Sequence, residues 1–315
     1  MIISYCPLRI SLVGGSTDSP SYLEKYKTGS VISFASNFKT YTVVHRDVIG
    51  YNSVKHKYII NYSDKETVDS VDEIKNDLVR CCFKELSVSE INCFLTSDVF
   101  STGSGLASSS SYLMSLIKSI NHLNNIDEST ESISKLAFKI EKKFNPLVGQ
   151  QDFYGGSIGG LKKITFFNDK DPLIEFLDVG IFDKFDMFLY FTDITRQSTN
   201  ILKTIDIDKS KFLLDEVDHL YKSIKSNNVD LFMSTMKKSW NLKKQTSPHI
   251  CSGDLSTIDS KIGTHPDVLA HKLCGAGGGG YFLIFVKKGS TEILNDFNTA
   301  KKITISKEGL TCKEI

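Results

Sequence analysis

Four glycine-rich segments hold the residue types with which this chain can do chemistry. The first is "GSGLASSSS" (103–111), two glycines and an alanine followed by four serines. A glycine loop opening into a helix is good anion-binding geometry, because free N–H groups and the positive end of the helix dipole point at the ligand. Its hydroxyls are oxygen donors suited to a hard metal ion. The plainer reading is a tight helix entrance with serine caps. The segment is not G-x-G-x-x-G, because Ser108 takes the last glycine position, and no G-x-x-x-x-G-K-[ST] occurs. Neither a Rossmann nor a Walker-type nucleotide loop is therefore supported.

In "PLRISLVGGSTD" (7–18) a strand bearing Arg9 runs into Gly14–Gly15 and ends on Thr17 and Asp18. A carboxylate presented on such a turn accepts several hydrogen bonds and suits hydroxyl recognition; an Asx-stabilised turn explains it equally. In "GQQDFYGGSIGGL" (149–161), Asp152 sits among glycines, where it can orient and deprotonate a hydroxyl or simply be a solvated loop acid. The last segment is "CGAGGGGYFLIFV" (274–286), with glycine at 275 and 277–280. So many glycines in one turn cost conformational entropy, so bare backbone is needed there.

The elements that must position these segments are legible in outline. "RISLV", "VISFA", "TYTVVH", "KYIINYS" and "INCFLTSD" read as strands in the first hundred residues. A helix starting near Gly105 is expected from the spacing of Leu113, Leu116, Ile117, Ile120 and Leu123. "STESISKLAFKIEKKF" (129–144) repeats that pattern, and Glu141 lies about 100° round from Ile140, at the border of its apolar stripe. "FDMFLYFTD" (185–193) and "YFLIFV" (281–286) read as buried strands, with two amphipathic helices between them, on Leu214–Ile224 and Val229–Trp240. A domain boundary is placed near residue 180.

Composition narrows the function classes. The chain has 315 residues, 40% hydrophobic and 24% charged, an ordinary globular balance. A formal net charge of +1 supplies no global field for nucleic acid or anionic membrane. The seven cysteines show no C-x-x-C spacing and the seven histidines no H-x-x-x-H spacing. Reduced buried thiols are expected, rather than a disulfide framework or a zinc site. No basic leader or spanning apolar run is visible, so a soluble cytoplasmic protein is expected. Nothing in the sequence fixes an oligomeric state.

Taken together, "PLRISLVGGSTD", "GSGLASSSS" and "GAGGGGYF" resemble, in order and content, the three motifs of the GHMP kinase superfamily. "GSVISFA", "IEKKF", "GQQDFYGG" and "SWNLKKQTSP" add a closer likeness to heptose 7-phosphate kinases. The resemblance implies an α+β, two-domain fold. Its ribosomal protein S5 domain 2-like N-terminal domain would span 1–180 and its ferredoxin-like C-terminal domain 181–315. It also implies transfer of a phosphoryl group from ATP, with Mg²⁺, to the C1 hydroxyl of a heptose 7-phosphate. An L-fucokinase-like or other sugar 1-kinase, or a catalytically silent sugar- or nucleotide-binding regulator, are the alternatives.

Residue by residue, the likeness implies that Gly103, Ser104, Gly105, Leu106, Ala107, Ser108, Ser109 and Ser110 cradle the ATP phosphates. Ser109 and Glu141 would hold Mg²⁺, Asp152 would deprotonate the acceptor, and Arg9 would stabilise the acceptor oxygen. Asp18, with Gly14, Gly15, Ser16 and Thr17, would bind sugar hydroxyls. Gly277 and Gly278 would lie against substrate and phosphates. A heptose 7-phosphate brings a second anionic group, for which Arg196 is the expected contact, with Lys243–Lys244 as another basic pair. Some departures matter. Gly15 and Ser16 replace the Glu-His of galactokinases, the usual proline before the phosphate loop is missing, and Ala107 stands where the superfamily commonly has glycine. That alanine is harmless if its φ is negative.

Overall fold

The computed structural model describes residues 1–46, 56–195 and 198–315. Its strands are β1 (Ile2–Val13), β2 (Thr28–His45), β3 (Tyr58–Asn61), β4 (Lys65–Val68), β5 (Ile91–Ser97), β6 (Leu161–Phe167), β7 (Leu173–Phe176), β8 (Phe185–Phe191), β9 (Val268–Leu273), β10 (Tyr281–Lys287), β11 (Lys301–Lys302) and β12 (Thr311–Glu314). They form two sheets. The larger runs β12-β1-β2-β5-β3-β4, with β6 on β2 and β7 on β6; the smaller is an antiparallel β11-β8-β10-β9.

The segments "VISFA" and "TYTVVH" prove to be one 18-residue strand, β2. Exposed Asn37 makes them read as two in sequence, yet the backbone runs on because β2 changes partner there: residues 28–34 pair with β6 and 40–45 with β5. β1 pairs along nearly the whole of β2, and its register slips between Pro7 and Arg9. Pro7 has no N–H for the ladder, and such irregularities re-aim the side chain beside them. Here that side chain is Arg9.

Both faces of the larger sheet are covered. One carries Ile2, Cys6, Val31 and Val44 beneath the helices Ser108–Leu123 and Thr130–Glu141. The first of these helices lays Ser111, Ser115 and Ser119 on β1 and β2. These small side chains permit close approach: Ser111 donates to the Pro7 carbonyl (3.3 Å) and Ser115 shares a hydrogen bond with Thr42 (2.7 Å). The opposite face, with Leu8, Ile10, Leu12, Ile32 and Phe34, shares one core with Phe185, Met187 and Leu189 of β8 and with helices Leu213–Lys225 and Val229–Gln245. The alternate residue Phe188 faces the other way, with Phe282 and Ile284 of β10, onto Trp240, Ile250 and Ile262, as the period of two requires.

The chain crosses between the sheets twice. The first crossing joins β7 to β8. The second leads from β11 back to β12, which pairs with β1 (Ile2 opposite Glu314), and is itself hydrogen-bonded to β2: Asn37 N–H donates to Thr304 O (3.0 Å) and Ser306 N–H to Ala35 O (2.8 Å). All seven cysteines are free. No helix among the described residues is long and apolar enough to cross a membrane.

Candidate active site

The helix expected near Gly105 begins at Ser108. The intervening loop uses left-handed backbone at Gly103 (φ 64°), Gly105 (φ 76°) and Ala107 (φ 62°). Ala107 therefore departs from the negative φ that would have made it harmless, and a residue with a Cβ is strained there by roughly 1–2 kcal/mol. It stands at the N-cap and provides no side-chain cap. The first-turn amides of Ser108, Ser109 and Ser110 thus lack the acceptor that a capping serine would supply.

The serines divide the work. Ser104 and Ser108 share a 2.9 Å hydrogen bond, and Ser110 donates to Glu141 Oε2 (2.7 Å). Ser109 alone of the four is exposed. Leu106 does not fit its expected role in the cradle. Its amide donates to Ser104 Oγ (3.2 Å), its carbonyl accepts from Arg9 N–H (3.2 Å), and its side chain enters the core.

The late glycine turn supports this loop from behind. Tyr281 N–H donates to Ser104 O (3.2 Å), Gly275 lies flat against the Gly105 backbone, and a Cβ at Gly280 would collide with the Ser104 carbonyl. Gly275 and Ala276 line the cavity beneath the loop; Gly277 and Gly278 instead pack on Ile250 and Ile201. The two glycines expected to lie against a ligand are thus not among the cavity's lining residues, and a Cβ on either would collide with these isoleucines.

Asp152 belongs to a short helix, Gln151–Ser157. Arg9, buried after the slip in β1, donates through Nε (2.9 Å) and Nη2 (2.6 Å) to Asp152 Oδ1, and through Nη1 to the Gly105 carbonyl (2.8 Å). One guanidinium thus ties the acid to the glycine–serine loop. Gly155 and Gly156 let the helix lie flush on Arg9 and on the Pro7 carbonyl.

Both ends of that helix meet a buried charge. At its start, Asp18 accepts from Gln151 N–H (2.9 Å, Oδ2) and from Gln151 Nε2 (2.8 Å, Oδ1), with bare Gly149 against the carboxylate. Both oxygens expected to bind a sugar are therefore engaged within the protein. Burial, with the charge of Asp152 nearby, pushes Asp18 up to about 6. At its end, the buried Lys162 donates to Gly155 O (2.9 Å) and Gly160 O (3.0 Å), and burial pulls its ammonium down to about 7. Acid at the N-terminus and base at the C-terminus match the helix dipole. Because the unfolded lysine binds its proton more tightly, folding gains stability as pH rises above about 7. Lys162→Met should remove that component. The stability advantage of wild type over the variant, read from urea midpoints, should be larger at pH 9 than at pH 7; an equal difference at both would contradict it.

Glu141 is buried and accepts from Ser110 and, at 3.4 Å, from Asn145 Nδ2. Burial pushes its carboxyl up to about 7, against the stabilising Ser110 hydroxyl. Ser109, Glu141, Asp152, Arg9 and the loop all line one cavity of about 390 Å³. Gly14, Gly15, Ser16 and Asp18 line it too, but Thr17 does not: its hydroxyl donates to Gly14 O (2.8 Å) and accepts from Ser30 N–H (3.0 Å), a brace for the turn. Arg196 lies outside the described residues. Of the lysine pair, Lys244 pairs with Asp259, whereas Lys243 lines the cavity and donates to Ser16 Oγ (2.6 Å).

Sequence reasoning missed Asn145, Lys162 and Lys272. Lys272 is half-buried in the cavity wall with Nζ on Ser11 O (2.7 Å) and Leu12 O (2.8 Å), and desolvation of its ammonium lowers it to about 8. Its place in "KLCGAGGGG", three residues before Gly275, was the available signal. No group of three or more His, Cys, Asp or Glu among the described residues can hold a metal ion.

Residues 74–156, which contain the serine helix, Glu141 and Asp152, match the GHMP kinases N terminal domain. Over that segment the chain is similar to the GHMP kinases. The chain is 29% identical over 306 residues, 89% of its own length and 88% of the relative, to a D-glycero-alpha-D-manno-heptose 7-phosphate kinase of Campylobacter jejuni subsp. jejuni. It is also 26% identical over 202 residues to a bifunctional fucokinase/GDP-fucose pyrophosphorylase of Arabidopsis thaliana, of which it spans 19%. Its fold is that of the crystal structure of a D-glycero-D-manno-heptose 1-phosphate kinase from Bacteriodes thetaiotaomicron (TM-score 0.79, 18% identity, 100% of this chain and 99% of that one). The mixed helix-and-sheet fold expected from the superfamily is the one observed.

Proposed function

We propose that this chain transfers the γ-phosphoryl group of ATP to the anomeric C1 hydroxyl of D-glycero-D-manno-heptose 7-phosphate, giving the 1,7-bisphosphate. The product would feed nucleotide-heptose synthesis for surface polysaccharide, in the cytoplasm. One observation carries the reading: an uncapped, serine-rich helix entrance and an arginine-oriented aspartate share a single cavity. The likeness to the Campylobacter heptose 7-phosphate kinase supports the acceptor. In this reading residues 1–180 carry the nucleotide side and 181–315 the remainder, with β12 returning to the first sheet.

The chemistry balances simply. The acceptor hydroxyl gives its proton to Asp152, its oxygen bonds to the γ-phosphorus, and the bond to the β–γ bridging oxygen breaks, releasing ADP. Both Arg9 bonds land on Asp152 Oδ1, which leaves Oδ2 for the acceptor. Phosphoryl transfer needs positioning and charge neutralisation more than covalent help. The loop amides of 103–110 meet the phosphates, other than those of Ser104, which donates to Ser101 O, and of Leu106. For Mg²⁺ the donor set fits: Ser109 presents an exposed hydroxyl and Glu141 a buried carboxylate at one cavity. Hard oxygen donors of this kind, few in number, suit an ion that keeps several waters. Mg²⁺ bound there would neutralise phosphate charge.

The test is ADP release with ATP and a panel of acceptors: heptose 7-phosphate, unphosphorylated heptose, fucose and mannose. Heptose 7-phosphate should give the highest kcat/KM, and Glu141→Gln should raise the Mg²⁺ concentration needed for half-maximal rate. Preference for fucose would favour a fucokinase-like enzyme, and no turnover with any acceptor would favour a silent binding protein.

A further inference from the structure

Beside the chemistry just described, the cavity has a second polar corner. It lies where the Gly14–Ser16 turn at the end of β1 meets the helix Val229–Gln245 from the other half of the chain. Lys243, 9% exposed, reaches across from that helix and donates to Ser16 Oγ at 2.6 Å. Ser11, 6% exposed and also on the cavity wall, has a hydroxyl with no hydrogen-bond partner among the described residues. A buried hydroxyl left in that state is costly unless something else satisfies it.

Gly15 is the third observation. Its neighbour Gly14 needs to be glycine, since its φ is 85° and its Cα lies against Ser30 O. Gly15 has no positive φ, and a Cβ there would meet nothing nearer than 3.7 Å, at Gln151 Nε2 and Ser11 Oγ. Neither backbone conformation nor packing within the protein asks for a bare Cα. A ligand brought close to the backbone does.

An ammonium, two hydroxyls and an open backbone turn are donors to an anion, and half-buried Lys272 adds a second ammonium, whose Nζ binds the Ser11 carbonyl. The charge-bearing groups facing the nucleotide side are spoken for differently: Arg9 is committed to Asp152 and Gly105. A neutral sugar hydroxyl has no use for an ammonium that is nine-tenths buried, whereas a phosphate ester does.

We propose that Ser11, Gly15, Ser16 and Lys243 form the subsite for the phosphate that the acceptor already carries, so that this corner selects sugar monophosphates over neutral sugars. The inference rests on the kinase reading above and gives it the residues that decide its acceptor class. The site is divided between the two halves of the chain: the turn comes from the first and the lysine from the second.

The experiment compares heptose 7-phosphate with unphosphorylated heptose in wild type, Lys243→Met, Gly15→Ala and Ser11→Ala. Wild type should prefer the phosphorylated acceptor in kcat/KM. Lys243→Met should cut that preference about 10- to 100-fold, the scale of a hydrogen bond to a charged group, through KM rather than kcat. Gly15→Ala, for which the fold has room, and Ser11→Ala should cut it about tenfold. Equal losses on both acceptors, or no loss in any variant, would overturn the subsite while leaving the kinase reading intact.

If wild type turns over neither acceptor, the kinase reading fails instead, and the subsite is judged by binding alone. Trp240 is the chain's one tryptophan, lines the cavity and precedes Lys243 by three residues. Inorganic phosphate should then change its fluorescence in wild type and not in Lys243→Met. The same response in both would reject the subsite.

Discussion

Asp152→Asn is expected to lower kcat by about 10³-fold, within the range for loss of a positioned general base, while changing ATP affinity by less than threefold. Asparagine keeps the size of the side chain and an oxygen that can still accept from Arg9. The loop is tied to Arg9 independently, through the Gly105 carbonyl, so the nucleotide side should stay in place. What is lost is the oxygen that, in the proposed reaction, would take the proton. Single-turnover rates at excess enzyme, with ATP titrated separately, separate the two effects. A kcat within tenfold of wild type would remove Asp152 from the chemistry.

Gly280→Ala should have the other large effect, and for a different reason. Position 280 has φ 95°, which residues bearing a Cβ rarely adopt, and the added carbon would strike both the carbonyl oxygen and carbon of Ser104. Strain of the backbone alone is of order 1–3 kcal/mol. The collision must in addition shift Ser104, whose oxygen accepts from Tyr281 N–H and whose hydroxyl holds Leu106 and Ser108. ATP affinity should fall by at least about tenfold, the equivalent of roughly 1.4 kcal/mol, together with a lower Tm. Gly289→Ala separates strain from collision, because its φ is 78° yet nothing lies within 4 Å of the added carbon; it should lower Tm slightly and leave ATP affinity alone. Unchanged ATP binding in Gly280→Ala would show that the turn does not support the loop.

Much of this site was legible because its chemistry is written in short segments whose glycines and acids keep a fixed order. Ser109, Glu141, Asp152 and Arg9 could be named from sequence, and they do line one cavity. What sequence could not supply was the direction of individual groups, which tertiary contacts decide. Leu106 lies between cavity residues but turns into the core; Thr17 follows the turn but braces it; Gly277 and Gly278 serve Ile250 and Ile201. Ala107 holds a left-handed φ that its side chain disfavours, and only the loop's packing onto Arg9 and the late glycine turn imposes it. The lysines illustrate the same limit. "LKKITFF" gives no sign that Lys162 is buried on two carbonyls while its neighbour Lys163 is only partly covered. The short strands β11 and β12, with their exposed lysines, lack a pattern of their own and exist because partner strands offer them an edge.

The double crossing of the chain between its sheets limits how this enzyme can move. A body hung from one strand can swing open like a door. This one is fastened at two separate places, and the second fastening is sewn onto β2 at Ala35 and Asn37. Ser16 precedes the first crossing and Lys243 lies in the chain between the two, so an anion gripped by both would act as a clasp between these segments.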